Sequence, residues 1–150
     1  MRRIAQPELD QIGRGCLAFQ MRSLSRAISA IYDAALSEAG LKTTQFSVLV
    51  AVANRGAVRP GELARSLRMD ESTLSRNVER MCARRWLRVE PGSDRRSRRI
   101  AITTNGIDLI RAAYPAWRRV QDQVANRLGS DGIAALKLLA QRLRHPVSNE

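Results

Sequence analysis

The sequence predicts a mainly α-helical fold with one small β-hairpin, and three observations support this prediction. Over most of the chain, apolar residues recur at the spacing of one helix face. The segments 86–90 and 99–103 instead alternate polar and apolar residues, as half-buried strands do. Between them the residues Pro, Gly, Ser and Asp form turns readily. We therefore expect helices on both sides of a single hairpin.

Two short helices are predicted just before the hairpin. Pro60 pre-sets the helical φ angle at the start of a helix over 60–67. Asp70 is a suitable N-cap for a second helix, from 71 to about 85. The second helix buries one stripe of residues: Leu74, Val78, Met81 and Cys82. Helix, turn, helix and hairpin together describe a winged helix-turn-helix.

The opposite face of the second helix combines hydroxyls, an amide and guanidinium groups, which suit phosphates and base edges. The candidates for direct contact are Ser72, Thr73, Ser75, Arg76, Asn77 and Arg80. Arg76 is the first choice for a bidentate contact to a base. The alternative is a merely solvated helix face, and this alternative is strongest for Ser75, whose angle lies nearer the core.

The predicted wing has a basic tip. Arg95, Arg96 and Arg98 are placed to enter a minor groove or to contact its flanking phosphates. Asp94 would repel DNA, so we expect it to pair with Arg96 and to hold the tip in shape.

Thr43 and Thr44, at the start of another helix, either donate to phosphate or simply cap that helix.

Composition narrows the class of partner. Twenty-six Lys and Arg against fourteen Asp and Glu give a formal net charge of +12, which favours a polyanion such as double-stranded DNA. The alternative is that the charge only maintains solubility. No long apolar run, export signal or paired metal-ligand spacing is seen, so we expect a cytoplasmic protein without a membrane span or metal. Catalytic motifs are also missing, which predicts no enzyme, catalytic residue or cofactor.

The remaining chain is expected to form long amphipathic helices. They are predicted over 9–39, 44–54, 104–128 and 131–144. We expect interruptions of the first helix at Gly13 and Gly15, and a break at Gly129 before the last. Pro115 should impose a kink near 112–114. The first and the last two helices are too long and too apolar to be covered by the small winged module. Association of two chains would bury them.

Several segments resemble the MarR-type bacterial transcriptional regulators. The resemblance covers nearly the whole chain, and its most specific part is the Asp-x-Arg pattern that falls on Asp94 and Arg96. The segments that carry it are 40–49, 62–64, 69–76, 94–96, Ile102-Thr103 and Gly106. It implies one MarR-like domain over 1–150, with a winged module at about 40–103 and dimerisation helices at about 8–39 and 104–145.

The resemblance also implies a homodimeric repressor that leaves a pseudo-palindromic operator when a small aromatic or phenolic effector binds. Phe19, Arg22, Tyr114 and Trp117 could line the effector pocket, although aromatic residues at helical spacing are more often plain core. Some family members sense peroxide, so a redox regulator acting through Cys16 is one alternative, which needs an accessible thiol of lowered pKa. A nonspecific architectural DNA-binding protein is another.

Overall fold

The computed structural model describes residues 4–92 and 97–143 and confirms a mainly helical fold with one hairpin. The helix-turn-helix pair lies at the centre of the chain, followed directly by the hairpin. The elements are α1 (Gln6–Gly15), α2 (Leu17–Leu36), α3 (Thr43–Arg55), α4 (Pro60–Leu67), α5 (Glu71–Ala83), β1 (Leu87–Pro91), β2 (Arg98–Ile102) and α6 (Thr104–Arg142). A short 3₁₀ turn, Ser37–Ala39, follows α2.

The single N-terminal helix that the sequence predicts is instead two helices. The break falls at Cys16, whose extended backbone (φ −68°, ψ 101°) ends α1 and begins α2. Gly15 is the last residue of α1, so the interruption predicted there falls one residue before the break, whereas Gly13 lies inside α1 and does not end it. Gly40, with φ +68°, closes the segment as predicted.

A kink was predicted near 112–114, but the residues around Pro115 all keep helical backbone angles. Arg111, whose carbonyl the proline leaves without its helical donor, is exposed, so water can take the donor's place. The non-helical residue inside α6 is Gly129, with φ +66° and ψ 174°. The predicted break at Gly129 is therefore confirmed, at a backbone conformation that glycine adopts readily.

The hydrophobic core holds α3, α4, α5, the hairpin and the first half of α6 together. Leu74, Val78 and Met81 of α5 are buried as predicted, whereas Cys82 is only half-buried. The most completely buried large side chains include Leu36, Leu49, Leu63, Leu74, Met81 and Ile100. Because one stripe of α5 faces this core, its polar stripe must face outward.

The hairpin is antiparallel and is tied to the helices at its base. Leu87 lies opposite Ile102, and Val89 lies opposite Ile100. Val58, between α3 and α4, adds a third stretch of backbone, since its N–H and carbonyl both bond to Ile100 at 2.9 and 2.8 Å. The wing is thus fixed to the helix-turn-helix pair by backbone hydrogen bonds.

A carboxylate from α2 caps the start of α3. Asp33 accepts hydrogen bonds from the Thr43 N–H at 2.6 Å and from the Thr43 hydroxyl at 2.7 Å, and Lys42 lies 3.6 Å from its second oxygen. Burial would raise the pKa of Asp33, but the Thr43 hydrogen bonds and the Lys42 charge lower it on balance. Both Thr43 donors are occupied by Asp33, so the residue that caps α3 is Asp33, and Thr43 has neither donor free for a phosphate.

Gly106 lies where the end of α5 meets the start of α6. The Thr103 hydroxyl accepts from the Gly106 N–H at 3.1 Å and lies 2.7 Å from the Arg85 carbonyl oxygen. A Cβ at position 106 would overlap the Trp86 carbonyl oxygen and would lie 2.8 Å from the Ile102 side chain. Only glycine allows these segments to approach so closely.

We expect Gly106→Ala to destabilise the fold by about 1–3 kcal/mol, because the added methyl group must displace backbone. Denaturant unfolding measures this change. The control is Gly13→Ala, whose Cβ would meet nothing within 4 Å in the exposed helix α1. That control should be neutral or stabilising by up to about 1 kcal/mol. Equal unfolding free energies for the two variants would contradict the close approach.

Candidate nucleic-acid interface

A carboxylate cap fixes the start of α5. Asp70 accepts from the Ser72 hydroxyl at 2.6 Å and from the Thr73 N–H at 2.8 Å, as the predicted N-cap requires. The hydrogen bonds from Ser72 and then Thr73 hold the pKa of Asp70 well below its usual range. The carboxylate is therefore ionised at neutral pH and faces the partial positive charge of the helix N-terminus.

The outer face of α5, meaning Ser72, Arg76, Arg80 and Ala83, is exposed to solvent. Arg76 and Arg80 are one turn apart, and the side chain of neither makes a hydrogen bond or ion pair with any other described residue. Their guanidinium groups can therefore bind an external acceptor without first breaking an internal contact.

The other predicted contact residues of α5 already have intramolecular partners. The Asn77 amide donates to the Thr73 carbonyl at 3.1 Å, and the Ser75 hydroxyl lies 3.3 Å from the Glu79 carboxylate. Thr73 and Asn77 are half-buried on one flank, while Ser75 is exposed on the other. The structure thus places all six predicted residues on one helix and singles out Arg76 and Arg80 as the unengaged ones.

On the wing, the structure places Arg98 and leaves three predicted residues undescribed. Arg98 is exposed at the start of β2, opposite Pro91. It lines a small cleft between the wing and α5 together with Val89, Ser75 and Glu79. Asp94, Arg95 and Arg96 lie outside the described residues, so the predicted pairing of Asp94 with Arg96 stays a prediction.

An aromatic cleft of about 540 Å³ lies between α3 and α6. The ring centroids of Phe46 and Trp117 are 6.3 Å apart, and those of Tyr114 and Trp117 are 5.8 Å apart. The walls of this aromatic cleft are Phe46, Ser47, Val50, Ala51, Asn54, Arg55, Ile110, Tyr114 and Trp117. Stacked rings beside one guanidinium group suit a planar aromatic anion.

The four residues predicted to line an effector pocket do not lie together in this chain, and their role stays a prediction. Tyr114 and Trp117 line the aromatic cleft, whereas Phe19 and Arg22 are exposed on α2 and do not. The reason is the crossing of the helices, which the 2.6 Å hydrogen bond from Tyr32 to Gln121 marks. At about 1.5 Å per residue, Phe19 lies roughly 20 Å along α2 from that crossing.

The α3 side of the aromatic cleft, including Arg55, was not predicted from the sequence. A signal was present, since Ser47, Val50 and Asn54 follow the i, i+3, i+7 spacing of one helix face. The face mixes polar and apolar residues, so it did not stand out as core.

The two cysteines differ in environment. Cys16 is half-buried at the break between α1 and α2, and Cys82 is half-buried on α5, where burial raises the pKa of its thiol. A raised pKa opposes thiolate formation at Cys82. Redox sensing through Cys16 stays a prediction.

Within residues 4–92 and 97–143, no group of three or more His, Cys, Asp or Glu residues is arranged to hold a metal ion. No helix in this part of the chain combines the length and the apolar character that crossing a membrane requires.

An N-capped helix with an exposed basic face, preceded by a short helix and followed by a hairpin, defines a winged helix-turn-helix DNA-binding regulator. The sequence profile of the MarR family matches residues 39–97. The transcriptional regulator PecS of Dickeya dadantii is 31% identical over 131 residues, covering 84% of this chain and 79% of PecS. The chain belongs to the MarR family of transcriptional regulators.

Solved structures agree with this assignment. The Mycobacterium tuberculosis regulator MosR, crystallised with DNA, is 33% identical and superposes with a TM-score of 0.73, covering 87% of this chain and 99% of MosR. Bordetella bronchiseptica BpsR, whose DNA binding is regulated by 6-hydroxynicotinic acid, is 23% identical with a TM-score of 0.74. That match covers 85% of this chain and 93% of BpsR and shows the shared fold.

We expect Asp70→Ala to weaken binding to DNA, because the first turn of α5 loses its cap, whereas Asp70→Asn should largely keep it. The pKa of Asp70 is lower in the folded chain than in the unfolded chain, where it has its ordinary value of about 3.9. The ionised cap therefore stabilises the fold above that ordinary pKa, and this stabilisation is lost as the pH falls through the lower folded value. The stability gap between wild type and Asp70→Ala should therefore persist at every pH above about 4. Thermal unfolding at several pH values measures the gap, and a loss of the gap near neutral pH would contradict the capping role.

Proposed function

We propose that this chain is a homodimeric repressor that acts in the cytoplasm by occupying a pseudo-palindromic operator. The observation that carries the proposal is the outer face of α5, where Arg76 and Arg80 are exposed and unengaged by other described residues. In this proposal Arg76 contacts base edges, while Ser72, Thr73, Ser75, Asn77 and Arg80 position the helix on the neighbouring backbone. Arg98, with Arg95 and Arg96, serves the minor groove.

Exposed apolar side chains on the outer helices support the dimer. In one chain, large apolar residues of α1, of α2 and of α6 beyond Gly129 face solvent: Leu9, Ile12, Leu17, Phe19, Met21, Leu24, Leu136, Leu138, Leu139 and Leu143. Monomeric proteins rarely leave so extensive an apolar surface uncovered. The helices outside residues 40–103 therefore dimerise, and each chain contributes one winged module to the DNA.

Two linked modules explain why the operator should be symmetric. A two-fold dimer presents two copies of α5, which enter successive major grooves about 10–10.5 bp apart. An architectural protein would need only the charge of +12, and its affinity would not depend on base sequence. Sequence preference therefore separates the two functions.

The aromatic cleft is the proposed effector site. Trp117, Tyr114 and Phe46 provide stacking surfaces, and Arg55 provides a cation on the α3 wall. BpsR responds to an aromatic acid, and this chain shares its fold. Because α3 and α6 form opposite walls, a bound planar acid would alter their separation and hence the spacing of the two winged modules.

The Arg76→Ala variant tests sequence reading. An operator is first obtained by selection from random duplexes, and binding to it is compared with binding to random DNA of equal length. Wild type should prefer the operator by about a thousandfold or more. Arg76→Ala should lose roughly 1–3 kcal/mol of discrimination at one base pair of each half-site. Equal binding of wild type to both DNAs would instead establish the architectural function.

The Arg55→Gln variant tests the effector site. We expect aromatic carboxylates to release wild type from its operator, and Arg55→Gln to need an effector concentration about tenfold higher, because a charge-assisted hydrogen bond is lost. Arg119→Gln, which removes an exposed charge of α6 outside the cleft, is the control. A response of Arg55→Gln equal to that of the control would remove Arg55 from the effector site.

A further inference from the structure

A second cleft, the basic cleft, borders α5 on the flank away from the wing. It has a volume of about 610 Å³ and separates the last turn of α5 from the segment that joins α2 to α3. Lys42, Arg80 and Arg84 are its cationic walls, and Asp33 is its one carboxylate. Three cations and one carboxylate leave a net positive charge. Its chemistry differs from that of the aromatic cleft, so it calls for a different ligand.

The carboxylate of Asp33 offsets only part of the positive charge of the basic cleft. Both Thr43 donors bond to one of its oxygens at 2.6 and 2.7 Å, while Lys42 lies farther from the other, at 3.6 Å. The carboxylate is thus committed to capping α3. The Lys42 side chain remains 70% exposed, so its ammonium group can reach an external anion.

Arg84 is held in position for such an anion. Its guanidinium lies 4.9 Å from the ring centroid of Trp86 and donates to the Gly40 carbonyl at 3.3 Å. A guanidinium has five N–H donors, so most of them stay available. A side chain fixed by stacking also loses less conformational entropy when it binds.

The location of the basic cleft identifies the source of the anion. Arg80 belongs both to this cleft and to the outer face of α5, one turn from Arg76. An α-helix about 10–12 Å across fills a major groove about 12 Å wide, so each flank of α5 meets one phosphate strand. The cleft on the opposite flank is lined by Glu71, Glu79 and Arg98, so its charged groups sum to a net negative charge, which suits a phosphate less well than the basic cleft does.

We infer that Lys42, Arg80 and Arg84 form a binding site for one backbone phosphate of DNA at the edge of the groove that α5 enters. This inference rests on the proposed function. It adds an anchor that positions α5 through the backbone, so the contact contributes affinity without sequence preference. Lys42 and Arg84 were not among the residues predicted from the sequence to contact DNA.

The test uses Lys42→Gln, Arg84→Gln and the double variant, with the selected operator and random DNA compared over a range of salt concentrations. Each single variant should lose affinity by a similar factor, on the order of tenfold, for both DNAs. The double variant should lower the slope of log K against log salt by about 0.9 for the lost phosphate. Lys137→Gln, at an exposed position of α6 beyond Gly129, is the control for the change in net charge. Arg84→Lys keeps a positive charge at position 84 and should therefore keep most of the affinity that Arg84→Gln loses. Thermal unfolding verifies that each variant folds.

Two results would overturn the inference. One is a double variant that matches Lys137→Gln on both DNAs, and the other is a loss confined to the operator, which would indicate base contact instead. If wild type shows no sequence preference, the proposed function fails, yet a uniform loss on random DNA would still support the phosphate site.

Inorganic phosphate provides an independent arm without DNA. NMR signals of the Gln45 side-chain amide and of Arg84 Nε–H, which belong to walls of the basic cleft, are followed as phosphate is added. Saturable shifts of both signals in wild type, with no shift of the Gln45 amide in the double variant, would support the site. The same shifts together with unchanged DNA binding by the double variant would assign the site to a small anion and overturn the DNA assignment.

Discussion

The burial of one stripe of α5 is the constraint on which the rest of the structure depends. Leu74, Val78 and Met81 pack into the core, and this packing leaves the helix a single rotation about its axis. Arg76 and Arg80 then have to face solvent. Asp70 fixes where the helix begins, and the Gly106 contact fixes how closely its end approaches α6. The orientation of the DNA-binding face is therefore a consequence of core packing.

The sequence predicted those elements whose signals are local. The proline at 60, the cap at Asp70 and the spacing of the buried stripe each act within one or two turns, and the helices Pro60–Leu67 and Glu71–Ala83 follow from them. Gly40 and Gly129 were predicted as breaks from their residue type alone, and both have the positive φ angles that glycine adopts readily. Local rules were sufficient for these positions.

Features that depend on distant parts of the chain could not be predicted in this way. The position of Phe19 and Arg22 relative to the aromatic cleft depends on where α2 crosses α6, and no local pattern shows that crossing. The cap on α3 comes from Asp33, ten residues upstream on another helix. The α3 wall of the aromatic cleft and the basic cleft likewise arise only when separate helices meet.

The two clefts both border α3. The aromatic cleft lies between α3 and α6, and the basic cleft lies between α5 and the start of α3. The position of α3 would therefore link the proposed effector on one side with the proposed phosphate site on the other. A shift of α3 would be transmitted to Lys42 at its N-cap, which is how an effector could alter DNA affinity without touching α5.

Hydroxyl-radical footprinting on an operator selected from random duplexes tests the central claim most directly. The account predicts two protected half-sites related by two-fold symmetry, with centres about 10–10.5 bp apart, because two copies of α5 enter successive major grooves. A single protected half-site, or protection that extends evenly along the duplex, would contradict a symmetric dimer that recognises base sequence.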